Sequence, residues 1–258
     1  MKRKILYVVM ILGFLSVGVY GGCQIFKELS EYQESKNAYT DLEEYVQVPE
    51  APDITASDNT DSSESEEQPV EQINWPVVDF EALQEVNEDC VAWILIEGTE
   101  INYPIVQGND NSYYLKHLFE GTWNSSGCIF LDSRVEADLS DRHSIIYGHH
   151  MKNGTMFSGL TQYKKQEYYD AHPTAFLITP DANYQIEFFA GYVANVKDDA
   201  WKLGFESEED YGNWIAAVIE KSWFESQVLP TETDRIITLS TCSYEFDNAR
   251  FIIHGVLR

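Results

Sequence analysis

Basic side chains are scarce in this chain of 258 residues, which holds 17 Lys and Arg against 43 Asp and Glu. The formal net charge is therefore −26 at pH 7. A nucleic-acid-binding surface needs a basic footprint to neutralise phosphates, so this balance argues against a nucleic-acid partner. The sequence also shows no internal repeat, and its length suits one sizeable domain with additional segments.

Cysteine is scarce too, with four residues in the whole chain. The spacing of Cys23, Cys90, Cys128 and Cys242 matches neither a zinc site nor a dense disulfide framework. Cys90 and Cys128 stand in apolar contexts and are most simply buried small hydrophobes, although a disulfide between them stays open for an exported chain. Cys242 is left as the one cysteine with unusual neighbours.

A long apolar run stands at the N-terminus. A basic tip, residues 1–4, precedes the apolar residues 5–26, and about 20 such residues suffice to cross a bilayer as a helix. The basic tip should stay in the cytoplasm, which puts the rest of the chain outside. We therefore expect a single-pass signal anchor in the cell membrane. A cleaved signal peptide and lipidation at Cys23 stay open as alternatives.

Acidic residues dominate the segment that follows. Residues 27–73 are rich in Glu, Asp and Ser and have few core-forming side chains after Val48. Such a segment cannot bury enough apolar surface to offset its ordering entropy. We expect an acidic extracellular stalk, partly helical over 27–45 and otherwise disordered, followed by a folded domain over 74–258.

Strand-like apolar runs fill most of residues 74–258, and Gly, Asn, Asp and Pro punctuate the gaps. The predicted strands are 91–96, 101–106, 128–131, 144–147, 175–179, 183–196, 235–239 and 251–257. Apolar residues at helical spacing predict a short helix at 78–86 and an amphipathic helix within 207–226. The pattern indicates a mostly β fold: a closed, largely antiparallel barrel with an N-terminal helix and a helical insertion before the strand that leads to Cys242.

A cysteine, an arginine and a pair of histidines stand at ends of these predicted strands. Cys242 ends one apolar run, and Arg250 begins the next, where a guanidinium can favour a thiolate or steady a developing oxyanion. His149 and His150 follow the strand that ends in Tyr147, and an imidazole there can exchange protons with a thiol or a leaving amine. Together the groups suit covalent acyl chemistry.

The combination resembles the sortases, the membrane-anchored cysteine transpeptidases of Gram-positive bacteria. Residues 238–242, Thr-Leu-Ser-Thr-Cys, are similar to the family's Thr-Leu-x-Thr-Cys signature, and 147–149, Tyr-Gly-His, match its strand-end histidine motif. Arg250 falls where the family has its essential arginine. The run 147–157 and the helix before the Cys242 strand favour class B, and the lack of a proline-rich lid counts against class C. The resemblance covers about residue 75 to the C-terminus.

This resemblance implies a reaction and its catalytic residues. Cys242 would attack the threonine carbonyl of a C-terminal sorting signal, His149 would protonate the departing amine, and Arg250 would hold the oxyanion. An amine of a peptidoglycan precursor would then resolve the thioester and anchor a secreted protein to the cell wall. We do not extend a calcium site of some class A sortases to this chain, and we expect no metal or other cofactor.

Substrate contacts are expected around these groups. Tyr147 and Ser240 flank the expected groove on two strands, Thr241 precedes the nucleophile, and Leu115 could line an apolar wall or pack in the core. Glu245, between Cys242 and Arg250, could tune His149 or the incoming amine, or could belong to a solvated turn. No Asn or Asp is evident as an orienting group for His149.

Other functions stay open at the level of sequence. A secreted cysteine peptidase would release its product to water. A pilus-assembly or housekeeping sortase would use the same chemistry on other proteins. A non-catalytic surface adaptor would leave Cys242 apart from His149 and Arg250.

Overall fold

The computed structural model describes residues 2–49 and 73–258, and residues 50–72 of the expected stalk lie outside the described part. The described residues form ten strands and four α-helices. The helices are α1 (Lys2–Leu42), α2 (Phe80–Val86), α3 (Gln166–Ala171) and α4 (Glu208–Glu220). The strands are β1 (Val46–Gln47), β2 (Val77–Val78), β3 (Cys90–Leu95), β4 (Asn102–Val106), β5 (Ile129–Leu131), β6 (His143–Tyr147), β7 (Thr174–Ile178), β8 (Asn183–Asn195), β9 (Arg235–Cys242) and β10 (Ala249–Leu257).

Eight of these strands close a barrel in the order β10-β8-β7-β3-β4-β5-β6-β9, with β9 returning to β10. The β4–β5 and β6–β9 pairs are parallel, and the other pairs are antiparallel. The predicted barrel and its predicted strands are thus confirmed. The parallel β6–β9 pair matters most for the site, because it sends both strands out at the same end of the barrel.

Strand alternation divides the apolar side chains of β9 and β10 between two cores. Ile237 and Ile253 belong to the cluster that fills the barrel, whereas Ile236 and Ile252 pack in a second cluster with Trp214 of α4. Successive side chains on a strand point to opposite faces, so both faces of these strands are covered at this level. Helix α4 covers the outer one.

The two predicted helices of the globular part begin at side-chain caps. Asp79 accepts a hydrogen bond from the backbone N–H of Ala82 at the start of α2, at 3.0 Å. Ser207 accepts one from the backbone N–H of Asp210 at the start of α4, at 3.1 Å. Each cap satisfies an N–H that has no partner within its helix. Helix α4 precedes β9, as the sequence predicts.

Helix α1 differs from the expected stalk, because its second half packs against the barrel. Ser35, Tyr39 and Leu42 recur at helical spacing and are buried, and the Tyr39 hydroxyl donates to the Gly127 carbonyl at 2.5 Å. Strand β1 then pairs with β2. Residues 35–42, which the sequence assigns to the stalk, therefore contribute to the packed part of the protein. The buried face of α1 could not be recognised from the sequence, because its few apolar residues stand within an acidic run.

From Met10 to Tyr20, the part of the first half of α1 whose side chains the structure describes, the side chains are exposed. Residues Met10–Tyr45 are long and apolar enough to cross a membrane by length and composition, with a mean hydropathy of 1.3 and none of the apolar window buried. Side chains such as Phe14 and Phe26 are exposed on this helix. One such helix is compatible with a membrane anchor.

Candidate active site

A cleft of about 440 Å³ opens where β6 and β9 end and β10 begins. It is open to solvent and contains residues from six stretches of the chain. Its lining residues are Asn111, Leu115, Phe130, Arg134, Tyr147, Gly148, His149, Val196, Trp201, Ser240, Thr241, Cys242 and Arg250. The three expected catalytic residues are therefore together, as are four of the five expected substrate-binding residues.

Parallel register brings His149 to Cys242. Tyr147 lies opposite Ser240 in the β6–β9 pair, and the Gly148 N–H donates to the Ser240 carbonyl at 3.1 Å. His149 stands two residues after Tyr147, and Cys242 stands two residues after Ser240. Because neighbouring strands are about 4.8 Å apart, two residues beyond a matched pair remain close. One strand pair thus brings together two residues that are more than ninety positions apart in the sequence.

Antiparallel register brings Arg250 to the same place. Arg250 is the direct partner of Cys242 across the β9–β10 pair, so both side chains leave the same face of the sheet. The Arg250 guanidinium donates through Nη1 to the Ala249 carbonyl at 2.9 Å. Both Cys242 and Arg250 are half-buried. A fixed positive charge therefore stands beside the thiol at the edge of the cleft.

Gly148 and Leu115 fix the course of the chain at His149. A Cβ at Gly148 would lie 2.5 Å from Ile129 Cδ1 and 2.6 Å from the Phe157 ring, so only glycine fits there. The His149 Nε2 is 2.8 Å from the Leu115 carbonyl, and a carbonyl only accepts, so Nε2 carries the proton in this bond. In the neutral ring, Nδ1 is then the nitrogen free to accept.

His150 has a different place from its neighbour. Its Nδ1 lies 3.0 Å from the Cys242 carbonyl, so the ring donates to the backbone of the nucleophile position. This contact ties the loop after β6 to the end of β9. Of the two adjacent histidines, His149 lines the cleft and His150 supports its edge.

A buried carboxylate supports the floor of the cleft, which sequence reasoning missed. Asp132 binds Arg134 through two oxygens, at 2.8 and 2.7 Å, and accepts the Tyr147 hydroxyl at 2.9 Å. Burial would raise the pKa of Asp132, but hydrogen bonds from Arg134, Asn111 and Tyr147 outweigh it and lower the pKa to about 2. Burial and the nearby Asp132 charge raise the pKa of Tyr147. The Tyr147 ring is thereby held in one orientation along the cleft.

Trp201 and Val196 form a wall that sequence reasoning also missed. The Trp201 indole N–H is 3.3 Å from the Ser240 hydroxyl, and Val196 follows the end of β8 with its side chain exposed. A tryptophan in an otherwise polar turn after a predicted strand was the available signal. Its role could not be recognised, because the partner strand β9 is remote in sequence.

Among the expected substrate-binding residues, Thr241 lies at the border of the cleft and Glu245 lies outside it. Thr241 borders the cleft, but it alternates with Ser240 and Cys242 on β9, and its hydroxyl is buried without a hydrogen-bond partner. Glu245 does not line the cleft: its carboxylate contacts Lys164 and Ser243. Burial would raise the pKa of Glu245, but these two partners lower it to about 2.

The remaining cysteines of the folded domain are sealed. Cys90 and Cys128 are fully buried free thiols rather than a disulfide. Burial raises the pKa of each thiol to about 12. In residues 2–49 and 73–258, no group of three or more His, Cys, Asp or Glu is arranged to hold a metal ion.

Comparisons with known proteins agree with this geometry. The sortase domain model matches residues 94–258. Sortase B of Listeria monocytogenes is 38% identical over 177 residues, which cover 68% of this chain and 72% of that protein. Sortase B of Staphylococcus aureus is 37% identical over 176 residues, covering 67% and 72%. The 2.0 Å crystal structure of the S. aureus protein superposes with a TM-score of 0.67 at 35% identity, covering 69% of this chain and 86% of that one.

Proposed function

The chain belongs to the sortase family, whose class B members are its relatives, and we propose that it anchors secreted proteins to the cell wall. In this proposal it cleaves a C-terminal sorting signal after threonine and transfers the acyl group to a peptidoglycan-precursor amine. The observation that carries the proposal is the meeting of Cys242, His149 and Arg250 in one solvent-open cleft.

The first half-reaction forms a thioester. The Cys242 thiolate attacks the threonine carbonyl carbon, and the C–N bond of the scissile peptide then breaks. The departing amine takes its proton from the His149 imidazolium. The enzyme is left with an acylated Cys242 and a neutral His149, and the peptide distal to threonine leaves as an amine.

Arg250 stabilises the charge that develops on the carbonyl oxygen. Its position opposite Cys242 puts the guanidinium within reach of an oxygen on an acyl group bound to Sγ. A donor fixed before the reaction stabilises the oxyanion without reorganising during it. The bond from Arg250 to the Ala249 carbonyl limits the guanidinium's freedom and supports this role.

The second half-reaction returns the enzyme to its starting state. An amine attacks the thioester carbonyl, and neutral His149 accepts the proton that the amine loses. The new amide forms as the bond to Cys242 Sγ breaks, which restores the thiolate and the imidazolium. Tyr147, Ser240, Leu115 and Trp201 are the residues we propose to hold the sorting signal during both steps.

The membrane anchor gives the reaction its location. We propose that residues 5–26 of α1 span the cell membrane once, with the basic tip inside and the barrel outside. A lipid-linked precursor and a protein leaving the membrane would both be near such an enzyme. The compatible length and composition of α1 support this arrangement.

A peptide-cleavage experiment tests the proposal. The full chain in detergent is incubated with a library of sorting-type pentapeptides and read by mass spectrometry, with and without a triglycine amine. We expect an acyl adduct on Cys242 and a ligated product with the amine. Hydrolysed product alone, even at high amine concentration, would favour a peptidase. No adduct with any peptide would contradict the acyl-transfer assignment.

A further inference from the structure

Two barrel loops meet α1 at the point where its apolar run ends. The Lys27 ammonium lies 5.4 Å from the centre of the Trp123 ring, and Lys152 lies 3.8 Å from the Glu28 carboxylate. Lys27 directly follows Phe26, the last residue of the apolar run. The barrel therefore reaches down the helix as far as the level at which the apolar surface stops.

The helix is continuous across this level. α1 runs without interruption from Lys2 to Leu42, and in the described part of the chain its first hydrogen bond to the barrel is at Glu31, whose backbone carbonyl accepts from the Asn124 side chain at 3.0 Å. From Phe26 to Glu31 the helix rises only about 7.5 Å at its standard pitch. The polar layer on each side of a bilayer's hydrocarbon core is about 5–8 Å thick. No spacer of greater length separates the barrel from the membrane surface.

The surface at this level has the chemistry of a membrane interface. Trp123 is 50% exposed although it belongs to a tight hairpin, in which Leu118 and Phe119 are buried as anchors. The Lys152 side chain is 83% exposed. Tryptophan and basic side chains are enriched where proteins meet lipid headgroups. The chain as a whole has a net charge of −26, so a surface that pairs an aromatic ring with lysines differs from its average composition.

Two acidic side chains of α1 at this level, Glu31 and Glu34, are already engaged. Glu31 contacts Lys27 at 3.7 Å and accepts the Ser125 hydroxyl at 2.7 Å, and Glu34 accepts from Asn124 at 3.1 Å. Their charges are turned toward the barrel rather than left free beneath it. Repulsion between these carboxylates and an anionic bilayer is correspondingly reduced.

We propose that the surface formed by Trp123 and Lys152, together with Lys27, rests in the lipid headgroup layer. This inference builds on the proposed membrane anchor and adds a second contact between protein and bilayer. Both loops adjoin the cleft: hairpin 116–123 follows Leu115, whose carbonyl binds His149, and Lys152 follows His149 by three residues. The bilayer thus supports the cleft wall and holds the cleft mouth near the membrane surface, where a lipid-linked amine is presented.

The test places a fluorescent probe at three positions of the full chain in vesicles of phosphatidylcholine and phosphatidylglycerol. Single cysteines at Trp123→Cys, Val77→Cys and Leu15→Cys carry an environment-sensitive dye, in a background with Cys23→Ser and Cys242→Ala. Val77 is the matched control, because it is 63% exposed and apolar but lies on β2, at the far end of the docked half of α1. Nitroxide lipids, labelled near the headgroup or deep in the acyl chain, then quench each dye according to its depth.

We expect the dye at position 123 to lose at least about half of its emission to the headgroup-labelled lipid, as an interfacial side chain should, and less to the deep label. The dye at 77 should be unaffected, and the dye at 15 should respond most to the deep label. Quenching at 15 without quenching at 123 would overturn this inference and leave the anchor intact. No quenching at 15 would overturn both. A dye at 123 that is shielded from water yet not quenched would indicate a protein partner and contradict the lipid contact.

Discussion

Cys242 and Cys128 carry the same thiol group but lie in two regions of the molecule that differ in access to solvent. Cys128 begins the run into β5, is fully buried beneath α1, and lies within 3.4 Å of the Tyr39 hydroxyl. Cys242 ends β9 at an open cleft with Arg250 opposite. Burial raises the pKa of the Cys128 thiol to about 12, which keeps it protonated and unreactive. The position of a cysteine along its strand therefore decides whether it serves packing or chemistry.

The comparison predicts its largest effect at Cys242. Cys242→Ala removes the thiol that lines the cleft and should lower turnover by roughly 10⁴-fold or more, since the thioester cannot form. Mass spectrometry of the enzyme with a cleavable peptide would show no acyl adduct. The unfolding temperature should change little, because Cys242 is only half-buried.

Cys128→Ala is the matched control for that change. It should keep the acyl adduct and lower the unfolding temperature, because it removes a packed side chain from the core. A thiol reagent should likewise label Cys242 in the native enzyme and Cys128 only after denaturation. Labelling of Cys128 at the same rate as Cys242 would show that the two regions do not differ in the way described.

A substitution at Arg250 tests whether the charge opposite Cys242 contributes to the chemistry of the cleft. Arg250→Lys keeps the charge but loses the planar fork of donors, and we expect turnover to fall by about 10²-fold. Steady-state kinetics with a fixed peptide would measure the change. Arg235→Lys, at the other end of β9, is the control and should leave turnover near that of the parent. Equal losses in the two variants would point to a general effect of charge or stability rather than to the oxyanion.

Asp132 combines features of the two regions, because its side chain is buried but it supports the floor of the cleft. Its folded pKa of about 2 is below the unfolded value, so its stabilisation is complete above about pH 4 and is lost as pH falls through 2. With an Asp132 side chain that is 0% exposed, Asp132→Asn should cost about 2 kcal/mol in the free energy of unfolding at pH 7.

Denaturant unfolding at several pH values would measure this cost. The difference between parent and Asp132→Asn should shrink below pH 4, whereas exposed Asp181→Asn should differ little from the parent at any pH. A constant difference down to pH 2 would contradict the role of the Asp132 charge. Asp132→Asn should also weaken peptide binding, since Tyr147 loses an anionic acceptor.

Tyr39 gives the smallest predicted effect and concerns the sealed region alone. Tyr39→Phe removes the hydroxyl that donates to the Gly127 carbonyl, and the free energy of unfolding should fall by about 1 kcal/mol. Tyr32→Phe breaks only an exposed hydrogen bond to Glu28 within α1, so it should lower the free energy of unfolding by less. A larger loss in Tyr32→Phe than in Tyr39→Phe would argue against the docking of α1. Turnover should be unchanged in both.

The sequence allowed the barrel and the core of the site to be predicted for identifiable reasons. Apolar runs bounded by turn residues gave the strands, and the spacing around Cys242, Arg250 and His149 gave a recognisable combination. What could not be predicted depends on pairing between remote segments. The docked face of α1 consists of few apolar residues within an acidic run. The Asp132–Tyr147 bond joins the residue after β5 to the last residue of β6, and it depends on the register of that strand pair.

The placement of Thr241 and Glu245 shows a limit of a different kind. Alternation along β9 puts Thr241 on the face opposite Cys242, and this could have been read from the sequence once the strand was assigned. Glu245 is close to Cys242 in sequence, but Lys164 and Ser243 draw its carboxylate away. Proximity along a turn is therefore weaker evidence than register along a strand.

The order of strands along the polypeptide determines when reactivity appears during synthesis. β10 comes last in the chain order of the described strands, and it joins β8 to β9. A nascent chain that has emerged only through β8 already carries His149 but has neither the nucleophile nor the guanidinium beside it. A partly synthesised chain therefore cannot catalyse acyl transfer. It gains this activity only when β9 and β10 complete the barrel.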